Sequence, residues 1–556
     1  MVLLMCAWGD RLGTSKQGNV LRKKIRMPIT AIHLENFKGI REKVEIPLRP
    51  VTLLFGGNSA GKSTILHALF YLREVLNTGT YDHDFVAGGG EVIELGGFDQ
   101  IVHHGQQVIS ITVDYLIDDD GLPEIPEFGV MEIQELAGKT LSYTLRFSLQ
   151  QVEVSVSYEN TVFCKLEQNM RSTLFLASVI SELPEDIQEF TGLGQEDWQL
   201  EINSMFEAGL EGDRGLEELE AYKGLTEVLL PLERKDHEAF SLHEWSVSDF
   251  AHLPSAGEWF GSMIVGPLRL VQKNLERLCY IGPARVIPGM DFSMRRRIEK
   301  EDNWADGSAA WHYLYTEFFS PDLDGNLPEV TEKINEVMRV LGMGYMFFKQ
   351  PHYKLPAEFD FKAGDPFEPG SASDLQGILE EMKALNKAQG YIHWDLVLMD
   401  KITEQAVLPK QVGTGVSQVV PVLVAAIKPK IDLLAIEQPE LHLHPQMQCN
   451  LADVFAHSVH QYPDRINLIE THSEHFLLRF LKRIREHSEE DGETVEGFPL
   501  PDAFPLLTPD KLSVLAITKD PNIGITEVKK MRISDEGGIL GRWPGGFFEE
   551  RAGELF

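Results

Sequence analysis

Residues 51–64 constrain this chain more tightly than any other segment. Val51–Phe55 is a continuous apolar run that reads as a strand buried on both faces. Lys62–Leu76 repeats Ile65, Leu69, Leu72 and Leu76 on one face and reads as a helix. Between them, Gly56-Gly57-Asn58-Ser59-Ala60-Gly61-Lys62-Ser63 satisfies G-x-x-x-x-G-K-[ST] in full. Gly56 and Gly61 let the backbone bend so that successive N–H groups converge on phosphate oxygens, and the helix adds its positive N-terminal end. The candidate triphosphate-binding residues are therefore Gly56, Asn58, Ser59, Ala60, Gly61, Lys62, Ser63 and Thr64. Lys62 is placed to reach the β- and γ-phosphates, and the Ser63 hydroxyl to ligate Mg²⁺. ATP and Mg²⁺ are the expected ligands.

Such a loop needs an acidic partner at the end of a neighbouring buried strand. Leu433-Leu434-Ala435-Ile436-Glu437 supplies one, and Glu437 is the expected metal anchor. Three further segments are distinctive: Asn36-Phe37-Lys38-Gly39 ahead of the loop, Glu440-Leu441-His442-Leu443-His444-Pro445 after the acidic strand, and Thr471-His472-Ser473 at the tip of the strand Ile466–Glu470. With these the chain resembles the ABC-type ATPase heads of the SMC/RecF/OLD class, over Met27 to about Asn77 and Val412 to about Ile484. Within that class it is similar to bacterial AAA-family ATPases that carry a C-terminal domain of unknown function and end in a Trp-Pro-Gly-Gly-Phe-Phe-type segment, here Trp543–Phe548. Many relatives of that kind occur in anti-phage defence loci beside a nuclease.

The resemblance implies an α/β head with a mixed sheet, split by an inserted β/helical lobe. It also implies a composite site in which two heads sandwich ATP, giving a homodimer or higher oligomer. The facing head would contribute Val412–Gln418, with Thr414, Gly415 and Ser417 as candidates and Gly415 and Ser417 as the named ATP contacts, ahead of a helix Val419–Ile427; a glycine turn with an N-cap is the plainer alternative. His472 matches a histidine that senses the γ-phosphate, and Gln100 a glutamine that links the metal to conformational change, although Gly96, Gly97 and Asp99 also suit a plain turn. One departure concerns catalysis. ABC heads place a glutamate where this chain has Gln438, which can orient water but cannot accept its proton. Glu440 is the alternative base, and slow ATP turnover is the expectation. The function implied is a sensor or scaffold in prokaryotic defence, working with a separate effector such as a nuclease or toxin. A DNA-repair or chromosome-maintenance ATPase, and a non-hydrolysing scaffold, remain alternatives, and DNA stays open as a ligand.

The remaining sequence sets limits. At 556 residues the chain exceeds one ordinary core. We expect an extension at 1–26, the first half of the head at 27–115, an acidic lobe at 116–277, a connecting region at 278–400, the second half of the head at 401–490 and a small unit at 491–556. The net charge of −34 argues against a generally nucleic-acid-binding surface, while leaving room for a local basic groove. Between Glu182 and Glu244, 18 acidic residues face 4 basic ones, marking either a solvated helical insertion or a docking surface for a basic partner.

Cys6, Cys164, Cys279 and Cys449 lie far apart with no metal or redox spacing, and no run reaches the roughly 18 apolar residues of a membrane span, so a cytoplasmic location is expected. In the first 26 residues the apolar run Met1–Ala7 precedes the basic cluster, the reverse of a signal peptide, leaving Met1 and Met27 as candidate starts. Only about 72 residues follow Ile484, too few for a typical metal-dependent nuclease domain, so no nuclease activity is expected of this chain alone.

Weaker signals have plainer readings. His442 and His444 read as packing residues before metal ligands, Asp322–Gly325 as a turn before a calcium loop, and Arg295–Arg297 as a solvated run. Trp543, Phe547 and Phe548 read as core or as a docking patch. Arg285, after Gly282-Pro283, belongs to a family-like motif without an assigned role.

Overall fold

The computed structural model describes residues 29–78, 95–117, 138–169, 174–180, 227–233, 266–287, 304–318, 327–352, 393–489 and 507–544, with isolated positions between them. The expectations for Met1–Arg26, for Arg295–Arg297, Asp322–Gly325, Phe547 and Phe548, and for most of the acidic stretch lie outside the described residues.

Among the described residues, two large sheets share β-rich layers with helices packed between and behind them. The mixed sheet runs β10 (Leu278–Ile281), β14 (Leu433–Glu437), β15 (Ile466–Glu470), β3 (Val51–Gly56), β16 (Leu512–Lys519), β17 (Thr526–Ile533) and β18 (Ile539–Leu540). The first five strands are parallel and the last two antiparallel. Parallel strands covered on both faces need apolar residues at every position, and β3, β14 and β15 are buried along their whole lengths. Alternate residues feed two cores. Leu54, Leu433, Ala435 and Leu468 face one, while Leu53, Phe55, Leu434, Ile436 and Ile469 face the other.

The first core is closed by an antiparallel sheet of eight strands, in the order β2 (Val44–Pro47), β1 (Ile29–Glu35), β4 (Ile109–Leu116), β5 (Thr140–Phe147), β6 (Gln151–Tyr158), β7 (Thr161–Asn169), β8 (Leu174–Ile180) and β9 (Glu227–Glu233). Helix α1 (Lys62–Thr78) lies within this core, with α3 (Gly266–Glu276) against it. The short α2 (Phe98–Ile101) inserts Phe98 and Ile101 there as well. The second core is covered by α4 (Ser308–Phe318), α5 (Glu329–Leu341), α6 (Thr414–Ile427), α7 (Pro445–Gln461) and α8 (Glu474–Glu489). A three-stranded antiparallel sheet, β11 (Tyr345–His352), β12 (His393–Asp400) and β13 (Ala406–Val407), leads into α6.

Two sets of strand pairings run across the boundaries expected from sequence. The lobe expected to start at residue 116 has no edge there, because β4 ends at Leu116 and hydrogen-bonds to β1 on one side and β5 on the other. The C-terminal segment joins the mixed sheet: β16 pairs in parallel with β3 from Leu512↔Val51 to Ile517↔Gly56. Its burial pattern, six consecutive buried residues from Leu512, is that of a central strand.

Helices α7 and α8 are locked by charge. The Arg483 side chain is 1% exposed and donates to Asp453 through Nε (2.8 Å) and Nη2 (2.8 Å), while Arg479 donates to the same carboxylate at 3.1 Å. Removing one member of a buried pair strands the other, whereas replacing both with apolar groups removes the desolvation problem. In chemical denaturation, Asp453→Ala is expected to cost about 3 kcal/mol, and Asp453→Leu combined with Arg483→Met to recover most of it.

Candidate nucleotide site

The parallel register brings the candidate residues together at the C-terminal ends of β3, β15 and β14. Glu437 and Glu470 are direct neighbours across β14 and β15, and Glu470 pairs with Leu54, two residues before the loop. The chain turns sharply after β3. Ser59 (φ +60°) and Gly61 (φ +105°) take left-handed backbone, while Gly56 serves a different need. A Cβ at Gly56 would lie 2.2 Å from the Ile517 carbonyl of β16, so glycine permits β16 to pair this close to the loop.

The loop is supported from behind by the far end of the chain. Thr526 donates from Oγ1 to the Ala60 carbonyl (3.0 Å), and its N–H bonds to the Gly39 carbonyl (2.8 Å). A Cβ on Gly39 or Gly61 would meet that same hydroxyl at 2.6 or 2.7 Å. Thus Asn36-Phe37-Lys38-Gly39, the loop and β17 form one packed unit, with Asn58 and Ser59 exposed at its tip. Lys38 meets His67 of α1 at 2.7 Å, and burial together with the Lys38 charge lowers the His67 pKa to about 4.

Lys62 is buried and donates to the Gly56 (3.2 Å) and Gly57 (3.0 Å) carbonyls. Its ammonium also lies 3.5 Å from Glu470 Oε1, and the Ser63 hydroxyl donates to Glu470 Oε2 at 2.8 Å. Glu470, not Glu437, is therefore the carboxylate in direct contact with the lysine and serine of the loop. The sequence carried the signal, since Ile466–Glu470 repeats the apolar-run-plus-glutamate pattern of Leu433–Glu437, but only the strand order shows which lies next to β3. Glu437 stands one strand farther out and accepts from the Tyr280 hydroxyl at 2.7 Å. Burial, and then repulsion from Glu470, raise the Glu437 pKa, while Tyr280, Lys62 and Arg285 oppose the rise.

This donor set suits Mg²⁺. A hydroxyl and two carboxylates are hard oxygen ligands, and the repulsion between Glu437 and Glu470 is what a divalent cation would relieve. Ser63, Glu470 and Glu437 are the residues that would hold it. Gln100 is exposed on α2 and shares no hydrogen bond with Ser63 among the described residues. Its loop is sewn instead to the Lys38 turn, through Lys38 N–H to the Ile101 carbonyl (2.6 Å) and His103 Nδ1 with the Lys38 carbonyl (2.8 Å).

The turn after β14 holds the other candidates. Gln438 has φ +46°, rare for a residue with a side chain, and its N–H bonds to the Glu470 carbonyl at 2.8 Å. Glu440 is buried, and its Oε1 accepts the His472 backbone N–H at 2.8 Å. Burial raises the Glu440 pKa against the pull of that amide and the Thr471 hydroxyl. The His472 pKa is lowered by burial and by Lys62, so its imidazole is neutral at pH 7, and Nε2 is buried with no hydrogen-bond partner among the described residues. A neutral imidazole with an unused nitrogen beside Lys62 suits contact with a phosphate oxygen.

The segment expected to face a second head is arranged differently from expectation. Helix α6 starts at Thr414, five residues before Val419. Ser417 is fully buried and donates to the Pro409 carbonyl at 2.6 Å, so its hydroxyl is not at the surface. Gly415 packs on the turn after β14, where a Cβ would meet the His442 carbonyl at 2.6 Å. Gly413 and Thr414 are the exposed residues at the helix start. His442 and His444 belong to no metal-binding cluster, and none of three or more such side chains occurs among the described residues. The His444 imidazole instead caps α7, accepting the Gln446 N–H.

A glycine-bounded loop between a buried strand and a helix, with Lys62 and Ser63 facing a carboxylate on the adjacent parallel strand, defines a P-loop ATPase head. The family model described as "AAA ATPase domain" matches residues 27–215 and 321–477, more than half of the sequence, and the chain belongs to that family. A search of curated proteins finds no match. Among solved structures, the chain is similar to an SMC head bound to the C-terminal winged-helix domain of ScpA (9% identity, 91% of this chain and 98% of that one, TM-score 0.39). It is also similar to an SMC head with an extended coiled coil bound to the C-terminal domain of ScpA, derived from Pyrococcus furiosus (11% identity, 95% and 98%, TM-score 0.34). A third is the SMC head domain from Thermotoga maritima (8% identity, 91% and 100%, TM-score 0.34). Among the described residues no helix is long and apolar enough to cross a membrane.

The raised Glu437 pKa has a thermodynamic consequence. A carboxylate that holds its proton more tightly when folded costs stability as pH rises from its unfolded pKa through its folded one, and the full cost persists above that. Glu437→Gln is therefore expected to raise the melting temperature of the ligand-free protein at pH 7 and to have little effect once the unfolded carboxylate is itself protonated. Calorimetry of both proteins across that range measures the difference.

Proposed function

We propose that this chain is a slowly hydrolysing ATPase whose heads pair around ATP, and that it acts as the sensor or scaffold of a prokaryotic anti-phage system with a separate effector. The observation that carries the reading is the contrast within the site. The phosphate side is fully equipped with Lys62, Ser63 and Glu470 in mutual contact and Glu437 beside them. The water side presents an amide, Gln438, where a proton acceptor speeds hydrolysis.

In this reading the loop amides and Lys62 bind the β- and γ-phosphates, and Ser63, Glu470 and Glu437 hold Mg²⁺. Held there, the metal would supply neutralisation of charge on the phosphate oxygens. His472 bonds the γ-phosphate through its free nitrogen. Gln438 orients water by hydrogen bonding but takes no proton, and Glu440 is engaged with the His472 amide, which fixes the sensing histidine. ATP then works as a clamp between heads, with the exposed Gly413 and Thr414 meeting the nucleotide of the facing copy. The defence role rests on the resemblance carried by Glu440–Pro445, Thr471–Ser473 and Trp543–Phe548.

Light scattering is expected to show an ATP- and Mg²⁺-dependent dimer, absent in Lys62→Ala. Phosphate release should fall far below the roughly 10 s⁻¹ of a median enzyme, and Gln438→Glu should raise it by about 100-fold. A fast wild type that Gln438→Glu does not accelerate would refute slow turnover, and a monomer at saturating ATP would refute the clamp. ATP-stimulated, salt-sensitive DNA binding without any co-purifying nuclease or toxin would move the assignment to DNA maintenance.

A further inference from the structure

Arg285 follows β10 in the segment Gly282-Pro283-Ala284-Arg285 and is 5% exposed. Burial lowers its pKa to about 10, so it remains charged at neutral pH. A buried guanidinium ordinarily finds a carboxylate, yet this one is spent on backbone carbonyls. Nη2 donates to the Glu437 carbonyl (2.6 Å) and the Gln438 carbonyl (3.2 Å), and Nη1 to the Gln418 carbonyl (3.3 Å). The Gln418 side-chain amide returns a bond to the Arg285 carbonyl at 2.6 Å. The three accepting carbonyls belong to two segments, the end of β14 with the turn after it and the first turns of α6.

The loop carrying Arg285 is itself anchored. Gly282 and Val286 donate their N–H groups to the Ala305 (2.8 Å) and Asp306 (2.7 Å) carbonyls. Gly307, at φ +77°, lets this anchor approach α6 so closely that a Cβ would lie 2.8 Å from the Pro421 ring. Pro421 also has no N–H to offer the preceding turn of α6, near where Arg285 takes the Gln418 carbonyl.

We propose that Arg285 is a positioning residue: it holds Gln438 in its left-handed turn and joins that turn to the start of α6, so that the two segments move as one body. This deepens the function proposed above and rests on it for its catalytic consequence. A second head pressing on Gly413 and Thr414 shifts the N-terminus of α6. Through the Arg285 carbonyl grip, that shift reaches the backbone that aims the Gln438 amide. Dimer formation is thereby linked to water orientation without a side chain crossing the interface.

Arg465 provides an internal comparison. It too grips carbonyls, those of Ala426 (2.6 Å), Ile431 (3.1 Å) and Lys428, but at the far end of α6 and with Tyr462 stacked on its guanidinium at 3.9 Å. None of these bonds reaches the turn after β14.

Arg285→Lys keeps the charge but cannot fork across three carbonyls. Hydrogen exchange on the ligand-free full chain is the first measurement. Peptides covering 433–443 and 409–421 should both exchange about tenfold faster, the effect expected for losing hydrogen bonds from a charged donor. Acceleration in one segment alone, or in neither, overturns the coupling whether or not the protein hydrolyses ATP. The second measurement is turnover, where Arg285→Lys should lower kcat by about tenfold with KM changed less than about twofold. Arg465→Lys should lower the melting temperature while leaving kcat in place. Parallel behaviour of the two variants would reduce Arg285 to a packing role. Should Arg285→Lys fail to fold, Gln418→Leu, which removes only the bond returned to the Arg285 carbonyl, is read by the same two measurements. A wild type without ATPase activity would refute the function proposed above, and the exchange result would still decide the coupling.

Discussion

The pairing of β3 on both edges is the constraint from which the site follows. A strand that ends in a phosphate-binding loop must be held rigidly, because the loop amides can converge only if the last residues of the strand do not move. β15 supplies one edge and, with it, Glu470 at the height of Lys62 and Ser63. β16 supplies the other, so close to Gly56 that no side chain fits there. Both faces of β3 are also buried, one against each apolar core, so the strand is covered on every side. The loop is fixed from four directions, and Thr526 adds a hydroxyl beneath its floor.

This arrangement makes the chain's two ends interdependent. The loop near residue 60 takes its support from residues beyond 510, across the whole of the intervening sequence. Such a connection is invisible to local patterning. The run Leu512–Lys519 is apolar enough to be a buried strand, but nothing in its residues names β3 as a neighbour. The same limit explains the lobe boundary. Alternation in β5, β6 and β7 reveals antiparallel strands, whereas their continuity with β1 and β4 depends on pairings between distant segments. Legible in sequence are features enforced within a few residues: the loop, the strand Ile466–Glu470, and the helix after the loop with its clear apolar face. Glu470 was passed over because two strands end in glutamate, and strand order alone separates them. Ser417 shows a related limit. A hydroxyl beside glycines suggests a ligand contact, and burial against Pro409 cannot be read from composition.

The buried charges near the site obey one rule. Glu437 and Glu470 end adjacent strands beside one lysine, and burial, followed by the repulsion from Glu470, raises the Glu437 pKa. Tyr280 and Arg285 soften the cost without cancelling it, the tyrosine by donating to the carboxylate and the arginine by its charge, since its hydrogen bonds go to carbonyls. A site optimised for the folded chain alone would neutralise one carboxylate. Keeping both leaves binding energy for a cation and a triphosphate to release, so stability is traded for affinity at these residues.

The same logic separates holding ATP from consuming it. Binding requires positive and polar groups fixed around the phosphates, and those are rigid here. Hydrolysis further requires a proton acceptor aligned with water, and the backbone strain at Gln438 shows that this position is held with care although its side chain is an amide. Left-handed backbone at a glutamine persists only when neighbours enforce it. The Glu470 carbonyl on one side and Arg285 on the other supply that enforcement, and Arg285 reaches the same turn from the base of α6. Strain maintained at a residue that cannot act as a base is best understood as geometry kept for orientation. On the function proposed above, the chain controls when water is aligned more than how fast its proton leaves, and that control is proposed to lie with whatever displaces the start of α6.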